Sequence, residues 1–124
     1  MRSRTIRLIA VAAAAALGLG AASVGALGAR TNLSLRTPVP CCLFNKKTLS
    51  AKAGTVRITL LNTVAVSHNV AIKKGSRVLG KGRVVRGPGK RSTVTASLRR
   101  GTCTYFCSVP GHEAAGMKGI LRVQ

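Results

Sequence analysis

The segment CSVPGHEAAGM, from Cys107 to Met117, decides how the rest of this sequence is interpreted. A thiol, an imidazole and a thioether follow one another at intervals of five residues, in a stretch otherwise built mostly of small residues. This spacing matches neither the two-residue period of a strand nor the steps along one face of a helix. The pattern therefore predicts a loop, folded so that Cys107, His112 and Met117 converge on one point.

Short segments around this loop alternate between apolar and polar residues, which is typical of strands with one buried face. Glycine and proline separate them, and no helix is predicted after residue 30. The alternating segments are Thr55–Leu60, Ser92–Leu98, Thr102–Cys107 and Gly119–Val123. Strands at this spacing predict an antiparallel β-sandwich.

The N-terminus has the pattern of an export signal. It begins with the basic stretch MRSRTIR and continues with a run of apolar and small residues, Leu8–Ala29. We therefore predict a signal peptide over residues 1–29. The alternative is an uncleaved membrane anchor at residues 8–29, since the run is just long enough to span a bilayer.

The sequence leaves the cleavage position open, because small residues occur both at Ala26 and Gly28 and at Ala21 and Ser23. With either outcome, the remaining chain is expected in the periplasm or on the extracellular face of the membrane. We divide it into an extended lead-in, residues 30–43, and one domain, residues 44–124. A domain this small benefits from a metal or a disulfide.

The charge balance is extreme, with 21 Lys and Arg against a single acid, Glu113, and a net charge of +20. Losing the three arginines before residue 8 with a signal peptide would leave +17. Such a surface either keeps the protein soluble by repulsion or indicates an acidic partner reached by electrostatic steering, or an anionic membrane or cell wall. Nucleic acid is disfavoured by export and by the 2% aromatic content, which leaves few rings for base stacking.

Basic residues are densest in Lys73–Arg91, where eight lie among glycines and two apolar pairs, Val78-Leu79 and Val84-Val85. The pairs predict two brief edge strands. The basic residues would either discourage edge-to-edge aggregation or form a docking surface, and both interpretations stay open here.

Composition excludes several enzyme classes, because the chain has no Asp, one Glu and two His. A glycosidase needs a pair of carboxylates, and a Ser-His-Asp triad needs its acid. EF-hand and Walker-type sites also need carboxylates. We therefore expect a protein that is not an enzyme.

The other histidine, His68, begins a further alternating segment, SHNVAI. Together with Cys107, His112 and Met117 it completes a set of two imidazoles, one thiolate and one thioether. This is the ligand set of an electron-transfer copper site with a weak axial Met. A Met ligand argues against zinc, which prefers Cys, His or carboxylate.

The segment YFCSVPGHEAAGMKGILRV, Tyr105–Val123, resembles the ligand loop and last strand of the cupredoxins, the blue or type-1 copper proteins such as plastocyanin and azurin. Its loop spacing is most similar to that of auracyanin and rusticyanin. His68-Asn69 matches the family's upstream His-Asn pair, and FNKKTLSAKAGTV, from Phe44, resembles its opening strands. The resemblance implies an all-β, Greek-key antiparallel β-sandwich that binds one copper ion.

The resemblance also implies roles for individual residues. His68, Cys107 and His112 would be the strong copper ligands and Met117 the weak axial one. Asn69 would hydrogen-bond across to the loop and support the Cys107 sulfur. The ring edge of His112 would reach the surface inside a small apolar collar, which comprises Val109, Pro110, Ala114, Ala115 and Gly116.

Three cysteines remain once Cys107 is assigned to the metal. Export favours disulfides, so we predict a bridge from Cys103 to Cys41 or Cys42. A reduced Cys103 in the core is the alternative, and a cysteine pair would also be able to capture copper.

The leading functional hypothesis is an exported carrier of single electrons between redox partners. One alternative is a copper-binding or copper-delivery protein without redox turnover. Another is a cationic surface-binding protein in which copper is structural. A multicopper enzyme is disfavoured, because no histidine is left for a second copper centre.

Overall fold

A computed structural model of the chain describes residues 28–124. The predicted signal peptide or anchor therefore lies outside the described residues, apart from its last two positions. In the described range the chain forms ten strands, and Ala29 already begins the first of them. The strands are β1 Ala29–Arg36, β2 Thr48–Ala51, β3 Gly54–Asn62, β4 Ser67–His68, β5 Ala71–Lys74, β6 Arg77–Lys81, β7 Val85–Arg86, β8 Lys90–Leu98, β9 Gly101–Phe106 and β10 Lys118–Val123.

The first sheet has the order β1-β3-β8. Strand β3 forms where the sequence alternates, and it buries Val56, Ile58 and Leu60 completely. It pairs antiparallel with β8, so that Val56 lies opposite Ala96 and Ile58 opposite Val94. The alternation of apolar and polar residues therefore fixes which face of this sheet points inward.

The second sheet has the order β2-β10-β9-β5-β6. Strands β9 and β10 are antiparallel neighbours, with Cys103 opposite Leu121. A short third pairing joins β4 to β7. As predicted, the two apolar pairs of the basic segment fall in or beside short strands, β6 and β7, and β6 forms an edge of its sheet.

Two pairings are parallel, β1 with β3 and β2 with β10, so the sheets are mixed rather than purely antiparallel. Both involve strands without a direct hairpin connection, and a parallel pair requires a crossover rather than a tight turn. Local turn signals carry no information about such pairings. The predicted all-β class itself is confirmed, and none of the described residues is helical.

The core fills the space between the two sheets and draws on both, for example on Ile58 of β3 and Leu121 of β10. Phe44 and Tyr105 pack with their ring centroids 5.5 Å apart. The segment predicted as an extended lead-in contributes as well, because Leu35 in β1 is almost completely buried. Within residues 28–124 there is no helix long and apolar enough to cross a membrane.

Candidate metal centre

Three of the four predicted ligands converge at one end of the sandwich. The Sγ atom of Cys107 lies 3.9 Å from Nδ1 of His68 and 3.5 Å from Nδ1 of His112. The three potential ligand atoms all lie within 4.8 Å of one another. The centroids of the two imidazole rings lie 4.9 Å apart, and the ring planes are tilted by 51° to each other. One nitrogen from each ring and the thiol sulfur are thus positioned to share a single ion.

The spacing of these atoms fits a trigonal metal ion. A metal bonded to sulfur at about 2.3 Å and to nitrogen at about 2.0 Å holds the two atoms about 3.7 Å apart when the bond angle is trigonal. The two observed sulfur-to-nitrogen distances, 3.5 and 3.9 Å, bracket that value. Two imidazoles and one thiolate in a plane form the donor set of an electron-transfer copper site.

His68 reaches the centre from the short strand β4, which pairs with β7 so that His68 lies opposite Val85. The side chain is completely buried. Burial, and secondarily the charge of His112, lower the pKa of His68 below its usual value. The ring is therefore neutral near pH 7, which is the state in which an imidazole binds a metal.

Cys107 and His112 are positioned by the loop between β9 and β10. Cys107 immediately follows β9 and is completely buried. A tight turn then reverses the chain, in which the N–H of His112 donates to the carbonyl of Val109 at 3.0 Å. Pro110 and Gly111 occupy the central positions, and the positive φ of Gly111, 84°, is the conformation that the third residue of a type II turn requires.

Met117 closes the same loop. Its side chain is completely buried. Its backbone forms hydrogen bonds with both other ligand residues of the loop. The N–H of Cys107 donates to the carbonyl of Met117 at 3.0 Å, and the N–H of Met117 donates to the carbonyl of His112, also at 3.0 Å. The fourth predicted ligand is therefore held next to Cys107 and His112.

Asn69 follows His68 and connects its strand to the ligand loop. The side-chain amide donates to Ser108 Oγ at 2.7 Å and to the carbonyl of Gly82 at 2.9 Å. Its oxygen accepts a hydrogen bond of 2.7 Å from the N–H of Ser108. The sequence did not lead us to predict that Ser108 is the hydrogen-bond partner of Asn69 in the loop. Its position directly after Cys107 was the signal that could have indicated this role.

The only acidic residue of the chain, Glu113, also belongs to the ligand loop. It forms an ion pair with Lys73 of β5. The Nζ atom of Lys73 lies 4.6 Å from the centroid of the Phe106 ring, directly before Cys107. In the sequence Lys73 belongs to the basic segment Lys73–Arg91, and its contact with Glu113, 40 residues away, has no local signal.

The predicted disulfide is wrong. Cys41 and Cys42 are bonded to each other, and Cys103 is a free, buried thiol. Cys103 precedes Cys107 by four residues along β9, which is about 13 Å in a strand. Cys41 lies near the metal centre, 3.9 Å from Nε2 of His68. A disulfide needs Cα atoms within about 7 Å, so Cys103 is not in a position to reach this end of the sandwich.

The loop surface around His112 is apolar and open. His112 itself is half-buried, as is Val109, whereas the other predicted collar residues are exposed. Leu43 is 44% exposed and lies next to Gly116, so it extends the collar. A Cβ atom built on Gly116 would lie 3.5 Å from Cδ2 of Leu43. Among the ligands of the centre, His68 and Cys107 are thus shielded from solvent, whereas His112 is partly exposed.

A β-sandwich with two histidines and a cysteine converging at one end defines the class of mononuclear copper proteins with a cupredoxin fold. The sequence model described as copper binding proteins, plastocyanin/azurin family, matches residues 41–124, and the chain belongs to this family. Copper is accordingly its metal, and the cluster of His68, Cys107, His112 and Met117 fits one type-1 ion. The predicted resemblance is confirmed.

Solved structures of the same fold include auracyanins and rusticyanin. Auracyanin from Roseiflexus castenholzii has a TM-score of 0.68 and 25% identity, covering 78% of this chain and 99% of that one. Auracyanin A from Chloroflexus aurantiacus, described as a "blue" copper protein, has a TM-score of 0.67 and 24% identity, covering 77% and 100%. Rusticyanin from Thiobacillus ferrooxidans has a TM-score of 0.61 and 22% identity, covering 78% and 79%. No curated protein sequence matches the chain.

Proposed function

We propose that this protein is an exported carrier of single electrons, with His68, Cys107, His112 and Met117 as its metal ligands. The observation that carries the proposal is the convergence of the thiol of Cys107 with one ring nitrogen from each histidine, all within 4.8 Å of one another. When bound there, copper supplies a reversible one-electron couple between its Cu(I) and Cu(II) states.

The protein's contribution is a ligand set that keeps its arrangement in both oxidation states. Cys107 and His68 are completely buried. The loop is closed on itself by the backbone bonds among Cys107, His112 and Met117. When the ligands barely move, the reorganisation energy of electron transfer to or from the metal is small.

The route for electrons would be the ring of His112, the most exposed of the four ligands. The small, apolar residues around it, including Pro110 and Ala114, allow close approach of a partner. Such a surface carries few charges that would need to be desolvated, which favours short-lived contacts.

The partner would be a redox protein with an acidic docking surface. Of the eight basic residues in Lys73–Arg91, seven are exposed, and only Lys73 is partly covered. The net charge of the full sequence is +20, and the +17 that would remain after loss of a signal peptide would steer an acidic protein toward this molecule. Export is supported by the basic start and apolar run of the N-terminus, and it would place the exchange outside the cytoplasmic membrane.

The proposal is tested by voltammetry and visible spectroscopy of the copper-loaded protein. We expect one reversible one-electron wave and an intense blue colour that disappears with a mild reductant and returns on oxidation. Cys107→Ser should abolish both, whereas Cys103→Ser, a matched change at a buried cysteine outside the centre, should preserve both.

A Cys107→Ser variant that retained the colour and the wave would reject this site. Slow electron self-exchange combined with ready surrender of copper to an apo acceptor would instead indicate a copper-delivery protein.

A further inference from the structure

A second cluster of soft ligands lies on the other side of His68. The sulfur atoms of Cys41 and Cys42 and a ring nitrogen of His68 all lie within 4.8 Å of one another. Sγ of Cys41 is 3.9 Å from Nε2 of His68, whereas the opposite nitrogen, Nδ1, is 3.9 Å from Sγ of Cys107. One imidazole thus separates the vicinal cysteine pair from the thiol of the proposed copper centre.

We propose that Cys41 and Cys42, when reduced, form a Cu(I)-binding site with His68 and load the copper centre through this residue. The inference rests on the proposed copper centre and adds a site and a route to it. The ligand is a cuprous ion delivered by a thiol-containing donor, because two thiolates and an imidazole favour a soft, monovalent copper ion.

Accessibility distinguishes the two clusters. Cys107 and His68 are completely buried, so an incoming ion meets neither of them first. Cys41 and Cys42 are half-buried and therefore open to a donor. A thiolate pair at this position would receive the ion at the surface and hold it next to the first buried ligand.

The shared histidine makes the two sites successive rather than simultaneous. A neutral imidazole carries a proton on one nitrogen and offers a lone pair only on the other. His68 therefore serves the cysteine pair through Nε2 or the copper centre through Nδ1, and the ring proton changes nitrogen between the two states. This alternation is the property expected of a loading route, whereas a permanent second copper would require a doubly deprotonated ring.

The oxidation state of the pair controls whether the site exists. In the structure Cys41 and Cys42 form a disulfide, which offers no thiolate. A dithiol reductant would transfer two electrons and two protons to the pair and become a disulfide itself. Cu(I) would then displace the two thiol protons as the thiolates bind it, and copper would keep its oxidation state during capture.

The binding site is tested in a Cys107→Ser background, which lacks the thiolate of the copper centre. The reduced, anaerobic variant should retain one equivalent of Cu(I) against a chromophoric Cu(I) chelator. Adding Cys41→Ser and Cys42→Ser should lower the affinity at least a hundredfold. Equal retention with and without the cysteine pair would overturn the proposal, as would failure of reduced Cys107→Ser to retain Cu(I).

The loading route is tested by the rate of copper uptake from a Cu(I)–glutathione complex. Reduced apoprotein should load at least tenfold faster than apoprotein with the disulfide intact, and than Cys41→Ser/Cys42→Ser. Cys103→Ser should load at the rate of the reduced wild-type protein. Equal rates for the reduced protein and the double variant would overturn the route.

A final readout separates this inference from the proposed function. After long exposure to copper and oxidation, the double variant should develop the same blue colour as the wild-type protein. Equal loading rates with normal colour would reject only the loading site. Absence of the colour from the wild-type protein would reject the copper centre and the loading site together.

Discussion

Asn69 and Ser108 are joined by two hydrogen bonds, each 2.7 Å long. One side-chain amide thereby links the strand that carries His68 to the loop that carries Cys107. Asn69 is completely buried, and its remaining amide hydrogen is bonded to Gly82. The relative position of two predicted ligands from distant parts of the sequence depends on this carboxamide.

Replacing Asn69 with Ala should destabilise the apoprotein by about 3 kcal/mol, because the N–H of Ser108 and the carbonyl of Gly82 would lose their partner. It should also shift the reduction potential of the copper form, since Cys107 directly precedes Ser108. Denaturant unfolding and voltammetry measure the two effects.

Asn32→Ala, at an exposed position of β1, is the matched control for Asn69→Ala and should change neither quantity. An Asn69→Ala protein with wild-type stability and potential would show that the carboxamide does not position the ligands.

The ion pair of Lys73 and Glu113 should hold the loop beside β5. The two side chains are 22% and 32% exposed, so solvent screens the pair only in part. We expect Lys73→Met to cost about 1 kcal/mol of stability and to accelerate loss of copper to a chelator, because the loop opens more readily. Thermal unfolding and the rate of copper release provide the measurements.

Lys74→Met removes the neighbouring, exposed charge and should leave copper release unchanged. Equal release rates from the Lys73 and Lys74 variants would contradict an anchoring role for the ion pair. High salt should narrow the difference between Lys73→Met and the wild-type protein.

The chain has a single tyrosine, Tyr105, so its ionisation is directly observable. Burial raises the pKa of Tyr105 to about 12. The unfolded chain releases this proton near its ordinary pKa of about 10, and the folded protein retains it to higher pH. The stabilising effect is therefore fully present below about pH 10 and is lost as the pH rises toward about 12.

Tyrosinate absorption of the apoprotein should accordingly appear only near pH 12, and the free energy of unfolding should fall by about 2 to 3 kcal/mol across that window. Tyr105→Phe keeps the ring but removes the ionisable group, so its stability should lack this decline. Ionisation of Tyr105 at its ordinary pKa in the folded protein would contradict the observed burial.

Electrostatic steering is testable with small redox reagents of opposite charge. Oxidation of the Cu(I) protein by anionic hexacyanoferrate should slow as salt is added, whereas oxidation by a cationic cobalt complex should accelerate. Rapid-mixing absorbance measures both rates. Salt dependences of the same sign for the two reagents would reject a steering role for the basic surface.

Charge reversal within Lys73–Arg91 tests whether this segment is responsible for the steering. Arg83→Glu/Arg86→Glu should slow the anionic reagent more than Arg30→Glu/Arg122→Glu, a pair of arginines that are also exposed and lie on β1 and β10. Equal effects would show that net charge, and not this segment, controls the approach.

Sequence patterns predicted the elements whose signals are local. The alternation of apolar and polar residues identified β3, β8, β9 and β10. The chemistry of metal ligands selected His68 and the three ligand side chains of the loop. The turn at Pro110-Gly111 was also predictable, because its residues are specific for the conformation that they adopt.

The missed features depend on long-range contacts. The parallel pairing of β1 with β3 joins segments that no turn connects, and Lys73 meets Glu113 across 40 residues. The vicinal disulfide was missed for another reason. The bridge from Cys103 was predicted because export favours disulfides, and export carries no information on where along β9 Cys103 lies.

X-ray absorption at the copper edge tests the central claim most directly, because it identifies the atoms bound to the metal. The copper-loaded protein should show one short copper–sulfur distance and two imidazole nitrogens, in both oxidation states. With the Cys41–Cys42 disulfide intact, the short sulfur contribution should disappear in Cys107→Ser and persist in Cys103→Ser. A copper environment of oxygen and nitrogen only, or a short thiolate contribution that survives Cys107→Ser while the Cys41–Cys42 disulfide is intact, would contradict a centre built from Cys107, His68 and His112.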